Sequence, residues 1–144
     1  MPQFGKRSLQ SLEGVHPNLV RLMKEAIKDS PIDFTITDGV RTTKEQQDLY
    51  AKGRTAPGSI VTTRDGIIRK SEHQAKADGF GHAVDLYPYI NGKIDFNAVN
   101  ELKTIGAHIK ATALRLGIKI VWGGDFKATA TLPKGWDKPH FELV

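Results

Sequence analysis

Apolar positions recur at helical spacing between residues 16 and 28, where Leu19, Leu22, Met23, Ala26 and Ile27 share a face. Pro17 suits an early helical position and Pro31 ends the pattern. Phe34 and Ile36 then alternate with Thr35 and Thr37, the period of a short strand that stops at Asp38-Gly39. Thr42-x-x-Glu45 reads as a capping box opening a second helix, with Gly53 as its stop. Ile60 to Thr63 and Ile67-Ile68 flank Arg64-Asp65-Gly66, which predicts a hairpin, and Gln74 to Phe80 reads as a loop. A buried strand is expected over Ala83 to Tyr87, followed by a turn through Asn91-Gly92. The longest helical pattern runs from about Asn97 to Leu116, with Val99, Leu102, Gly106, Ile109, Ala113 and Leu116 in steps of three and four, closed by Gly117. Strands over Ile118 to Trp122 and His140 to Leu143 complete the chain. Without a βαβ rhythm or an internal repeat, the expected fold is α+β: one small domain over residues 1–144, with a mostly antiparallel sheet packed against helices.

Composition narrows the function. At 144 residues, 39% of them hydrophobic and 26% charged, one core is feasible and no apolar stretch reaches the length of a membrane span. The first residues, Met1 to Arg7, lack the apolar run of a signal peptide, so folding in a cytoplasm is expected, with release by another agent if the substrate lies outside. There is no cysteine, which excludes disulfides and thiolate metal sites and leaves His, Asp and Glu as the available ligands. The net charge of +5 favours anionic surroundings, but the basic residues are scattered and no nucleic-acid motif accompanies them, so no nucleic-acid partner is expected.

Chemistry concentrates in the second half, in Ser71-Glu72-His73, Gly81-His82-Ala83-Val84-Asp85 and Trp136-Asp137-Lys138-Pro139-His140. Two histidines and a carboxylate, with a further carboxylate nearby, are the inventory of a hydrolytic zinc site. Alternation along the strand puts Asp85 with Ala83 and Tyr87, and His82 with Val84 and Leu86, so His82 and Asp85 do not easily grip one ion. An aspartate in an apolar strand is costly unless it is paired or metal-bound. His140 and Glu142 share a face of the last strand, where a histidine can equally be structural. His73 precedes a loop that could swing it inward or leave it exposed. His108, mid-helix beside apolar neighbours, reads as structural and His16 as a helix-start residue. Glu72, Asp137 and Glu142 compete for the role of base, and spacing alone does not choose among them.

Ser-x-His, Gly-x-Ala-x-Asp and Pro-His-Phe-Glu, preceded by Asp38-Gly-Val-Arg-Thr42, resemble the D-alanyl-D-alanine peptidase and hedgehog-like zinc peptidases. The similarity spans roughly Phe34 to Val144 and is greatest to the small phage endolysins that cut L-alanyl-D-glutamate bonds in peptidoglycan. The resemblance implies Zn2+ on His73, Asp85 and His140, Asp137 as general base, Arg41 stabilising developing negative charge, and Ser71 and Gln46 lining the site. Trp136 and Tyr89 would be walls for the stem peptide. The family's commoner spacing between the first histidine and the glycine is shorter; set without a gap, Asp78 falls where a histidine is expected. An enlarged loop over Gln74 to Phe80 restores Ser71-x-His73, with His82 as the competing ligand. The resemblance further implies a monomer held in the host cytoplasm until release onto the peptidoglycan layer, with no stable membrane insertion. Two other functions share this grammar: a carboxypeptidase removing terminal D-alanine, and a non-catalytic zinc or cell-wall-binding module.

Overall fold

The computed structural model describes residues 3–144. In chain order the elements are α1 (Lys6–Ser11), α2 (Pro17–Lys28), β1 (Phe34–Asp38), α3 (Thr43–Ala51), β2 (Ala83–Ile90), β3 (Lys93–Ile94), α4 (Val99–Leu116), β4 (Ile120–Trp122), a 3-10 turn (Gly123–Asp125) and β5 (His140–Leu143). The sheet runs β1-β2-β5-β4 with every pairing antiparallel, and β3 folds back on the far end of β2. This is the α+β arrangement expected from the pattern.

Helices α2 and α4 cover one sheet face. Leu19, Leu22, Met23, Ala26 and Ile27 of α2 meet Leu102, Ile105, Ile109 and Ala113 of α4 over Phe34, Ile36, Val84, Leu86 and Phe141. His108 is structural as expected: its Nε2 lies 2.9 Å from the carbonyl oxygen of Ala26 and 3.2 Å from Asp29. His16 caps α2 through Nδ1, which accepts the Asn18 N–H. The Thr42–Glu45 capping box is formed in both directions at the start of α3. Gly117, at φ 71°, ends α4 in the left-handed conformation that glycine adopts without Cβ strain.

The alternate residues of the central strands, Asp85, Tyr87, His140 and Glu142, line a cleft on the opposite face. By simple alternation Asp38 would join Phe34 and Ile36 in the core. A register shift between Ile36 and Asp38 reverses it, and Asp38 instead pairs with Asp85 at the cleft end of β1.

Two expectations of the pattern need correction here, and one element adds to it. The hairpin around Arg64-Asp65-Gly66 does not form, because Asp65 Oδ1 accepts the N–H groups of Ile67, Ile68 and Arg69 and winds the segment into a tight turn. Helix α1, at six residues, is too short to show a period in the sequence. Tyr89 does not line the cleft: it pairs with Ile94, four residues along β2 from Asp85 and so about 13 Å away. Tyr87 is the tyrosine in the cleft wall.

Candidate active site

Antiparallel pairing sets Asp85 of β2 directly against His140 of β5. The third group arrives from a loop. Ser71 Oγ accepts the His73 N–H, and the His73 carbonyl accepts the Arg41 N–H, so the loop is pinned beside the end of β1. Asp85 Oδ1, His73 Nε2 and His140 Nδ1 then stand 3.2, 3.1 and 3.3 Å apart. Four ligands about 2.0 Å from a tetrahedral zinc are separated by about 3.3 Å, so these donors match three corners of such a site.

The opposite edge of each ring decides which nitrogen is free. His73 Nδ1 lies 2.7 Å from the Gly39 carbonyl, to which it can only donate, which leaves a lone pair on Nε2. His140 Nε2 lies 2.8 Å from Glu142 Oε1 and can only donate to that carboxylate, which frees Nδ1. With both rings neutral, two unprotonated nitrogens and a carboxylate oxygen converge on one point, a donor set that calls for a cation.

The charges show the same demand. Burial disfavours ionisation of Asp85, yet the positive charge of His73 and hydrogen bonds from His140 and His73 hold its carboxyl well below the ordinary range. Burial likewise opposes a charged His140, but hydrogen bonds to Asp85 and Glu142 and the nearby negative charges push it up to about 10. Without metal, a proton would occupy the place of the cation.

Asp137 lies in the turn before β5, with Oδ2 3.7 Å from His140 Nδ1. Burial and the neighbouring Asp85 charge raise its pKa to about 6, against the pull of His140, His73 and Arg41. Its backbone packs on Gly123, where an added Cβ would collide with the Asp137 carbonyl oxygen. Trp122 Nε1 donates to the Lys138 carbonyl at 2.6 Å and holds the other end of the turn.

Arg41 is anchored on three sides. Nε donates to Asp38 at 2.7 Å, Nη1 to Gln46 at 3.1 Å and Nη2 to Asp85 Oδ2 at 2.9 Å. Of its five N–H groups, one on each terminal nitrogen is left uncommitted. Ser71 and Trp136 border the cleft, of about 470 Å³, as does Glu72. Gln46, expected to line it, does not: it is fully buried behind Arg41, and its amide nitrogen is spent on Thr62 and the Arg64 carbonyl. It can reach substrate only through Arg41. His82 is turned away from the three donors, toward Asp78.

The sheet, the cleft and the convergent donors find their counterpart among peptidases. The chain belongs to the phage L-alanyl-D-glutamate peptidase family, whose model matches residues 1–144. It is 33% identical over 147 aligned positions to the L-alanyl-D-glutamate peptidase of Escherichia phage T5, covering 99% of this chain and 98% of that one. It is 32% identical to the peptidoglycan L-alanyl-D-glutamate endopeptidase CwlK of Bacillus subtilis, over 85% of this chain and 67% of the relative. The crystal structure of the Serratia marcescens L-Ala D-Glu endopeptidase ChiX superposes with a TM-score of 0.73 at 28% identity, covering 99% of this chain and 90% of that one.

Proposed function

We propose that the protein is a zinc-dependent endolysin that hydrolyses the L-alanyl-D-glutamate bond of peptidoglycan stem peptides. The reading rests above all on the convergence of His73 Nε2, Asp85 Oδ1 and His140 Nδ1 at 3.1–3.3 Å, with each outer ring nitrogen already committed. These three residues would hold the ion. Bound there, zinc supplies the Lewis acidity that activates water and polarises the scissile carbonyl.

The chain supplies the rest. Asp137, ionised, takes the proton from the attacking water and delivers it to the leaving amine. Arg41 keeps Asp85 oriented through Oδ2 and offers its two free N–H groups to the developing oxyanion. Ser71 sets the turn that presents His73, and Trp136 forms part of the wall along which the stem peptide lies. The protein acts as a monomer and is held in the host cytoplasm until released onto the wall. No helix among the described residues is long and apolar enough to cross a membrane.

Digestion of purified peptidoglycan followed by mass spectrometry of the new termini tests this. New amino groups on D-glutamate are expected, lost on chelation and restored by Zn2+. Release of free D-alanine would identify a carboxypeptidase instead, and no release by the zinc-loaded protein would identify a binding module.

A further inference from the structure

The loop that joins His73 to β2 carries a second constellation, outside the cleft. Asp78 Oδ2 lies 2.7 Å from His82 Nε2 and 4.0 Å from His16 Nε2, and the two imidazole centroids are 5.0 Å apart. One donor atom from each residue falls within 4.8 Å of the others. The backbone beneath is tied down. The His16 N–H donates to the Gly81 carbonyl, the Gly81 N–H to the Gly14 carbonyl, and the His82 N–H to the Glu72 carbonyl. Asp78 Oδ1 accepts the Phe80 N–H, which leaves Oδ2 facing the two rings.

We infer that His16, Asp78 and His82 form a second site for a divalent transition metal of the imidazole-preferring kind, such as Zn2+. The ion would clip the loop over residues 74–82 to the start of α2. Two neutral imidazoles and one carboxylate are a suitable three-ligand set for such ions. Asp78 is exposed and both histidines are partly so, which leaves an entry path and a position for water. The clip joins segments more than sixty residues apart in sequence, and the loop it holds bears His73 before its first residue and Asp85 beyond its last. Its effect is on loop order and stability, since none of the three side chains borders the cleft.

Binding has an identifiable cost. His16 Nδ1 accepts the Asn18 N–H at 3.1 Å, so the neutral ring carries its proton on Nε2. Coordination through Nε2 moves that proton to Nδ1, and the Asn18 amide loses its acceptor. This makes the second site weaker than the first and gives it a signature, a shift of the Asn18 amide resonance.

The full chain, freed of metal by dialysis against chelator, is titrated with Zn2+ by calorimetry and metal analysis. Expected are two zinc equivalents for the wild type, the weaker accompanied by the Asn18 shift and by a rise in melting temperature. His82→Gln and His16→Asn should each lose the weaker equivalent, its affinity falling by more than the roughly tenfold that even an outer-shell change causes, while hydrolysis is retained. Asparagine is itself a good N-cap, so loss of metal in His16→Asn does not reduce to loss of helix. His140→Ala should keep the weaker equivalent and lose the tighter one. One equivalent in the wild type that His140→Ala removes would overturn the second site alone, as would retention of both equivalents in His82→Gln and His16→Asn. One equivalent that His140→Ala keeps and His82→Gln loses would uphold the clip and overturn the cleft as a zinc site.

Discussion

Asp85 and His140 are direct partners across the β2–β5 ladder, and that register brings Asp85 Oδ1 within 3.3 Å of His140 Nδ1. Ala83 pairs with Glu142 on the same ladder, so the carboxylate that orients His140 comes from the same strand face two residues on. A one-residue slip would send His140 and Glu142 to the helical core and bring Phe141 into the cleft. The burial of Phe141 among α2 and α4 residues therefore specifies the ligand geometry as well as the core.

Removing His140 tests the centre directly. In His140→Ala, hydrolysis should disappear together with the zinc equivalent that chelation and reloading restore to the wild type. Metal analysis and activity on the same samples check it. A variant that still recovers activity on reloading would remove His140 from the ligand set.

Glu142 touches the ring nitrogen that faces away from the cleft donors, so its role is to orient His140. Glu142→Ala should weaken metal binding by roughly 10–100-fold while the zinc-saturated enzyme keeps most of its kcat. Glu142→Gln, whose amide oxygen can still accept from Nε2, should be milder. Zinc titration followed by kinetics at saturating metal separates the two effects.

The sequence made some of this legible because strand parity is a local property. Asp85 and His140 could be placed on faces from their neighbours alone, and the helices that bury Leu19 or Ile105 announced themselves by period. His73 could not be placed that way, since a loop has no period; only the family resemblance put it beside Asp85. The resemblance sets Gln46 near the site, but a motif match says nothing of the Arg41 and Arg64 groups that satisfy its buried amide. The expected hairpin failed because three N–H groups find Asp65 in a tight turn, a competition invisible to alternation. The His16–Asp78–His82 group joins residues from two distant segments, which the pairing of Val15 with Gly81 brings together.

Arg41 is only 13% exposed and makes three side-chain contacts that a lysine cannot reproduce together. Arg41→Lys and Arg41→Ala should both lower kcat at saturating zinc, and both should weaken zinc binding because Asp85 Oδ2 loses its donor. If kcat per folded, zinc-loaded molecule holds while only the melting temperature falls, Arg41 is structural.

Gly123 is required by close approach rather than by backbone angle. A methyl group there meets the Asp137 carbonyl, so the turn carrying the base must move. Gly123→Ala should cost about 1–3 kcal/mol by denaturant titration and reduce hydrolysis more than zinc binding. Equal stability and activity to the wild type would show that the Asp137 turn is free to shift.

Asp137 carries the last prediction because its ionisation touches both rate and stability. A base must be ionised, and its pKa is raised to about 6 by burial and by Asp85. A cation among the three donors pulls that value down, so kcat/KM should rise with pH along an acid limb centred at or below about 6. Asp137→Asn should erase the limb and lower hydrolysis by about 10²–10⁴-fold while zinc stays bound. Stability runs the other way. The folded pKa lies above that of an ordinary aspartate, so the fold favours the protonated carboxyl; that contribution is full below about 4 and is lost as pH rises through about 6. Asparagine mimics the neutral acid at every pH. Metal-free Asp137→Asn should therefore melt above the metal-free wild type near pH 7 and close to it near pH 4. If Asp137→Asn keeps near-normal hydrolysis while Glu142→Gln abolishes it, the base is Glu142 and the carboxylate at 3.7 Å from His140 is a bystander.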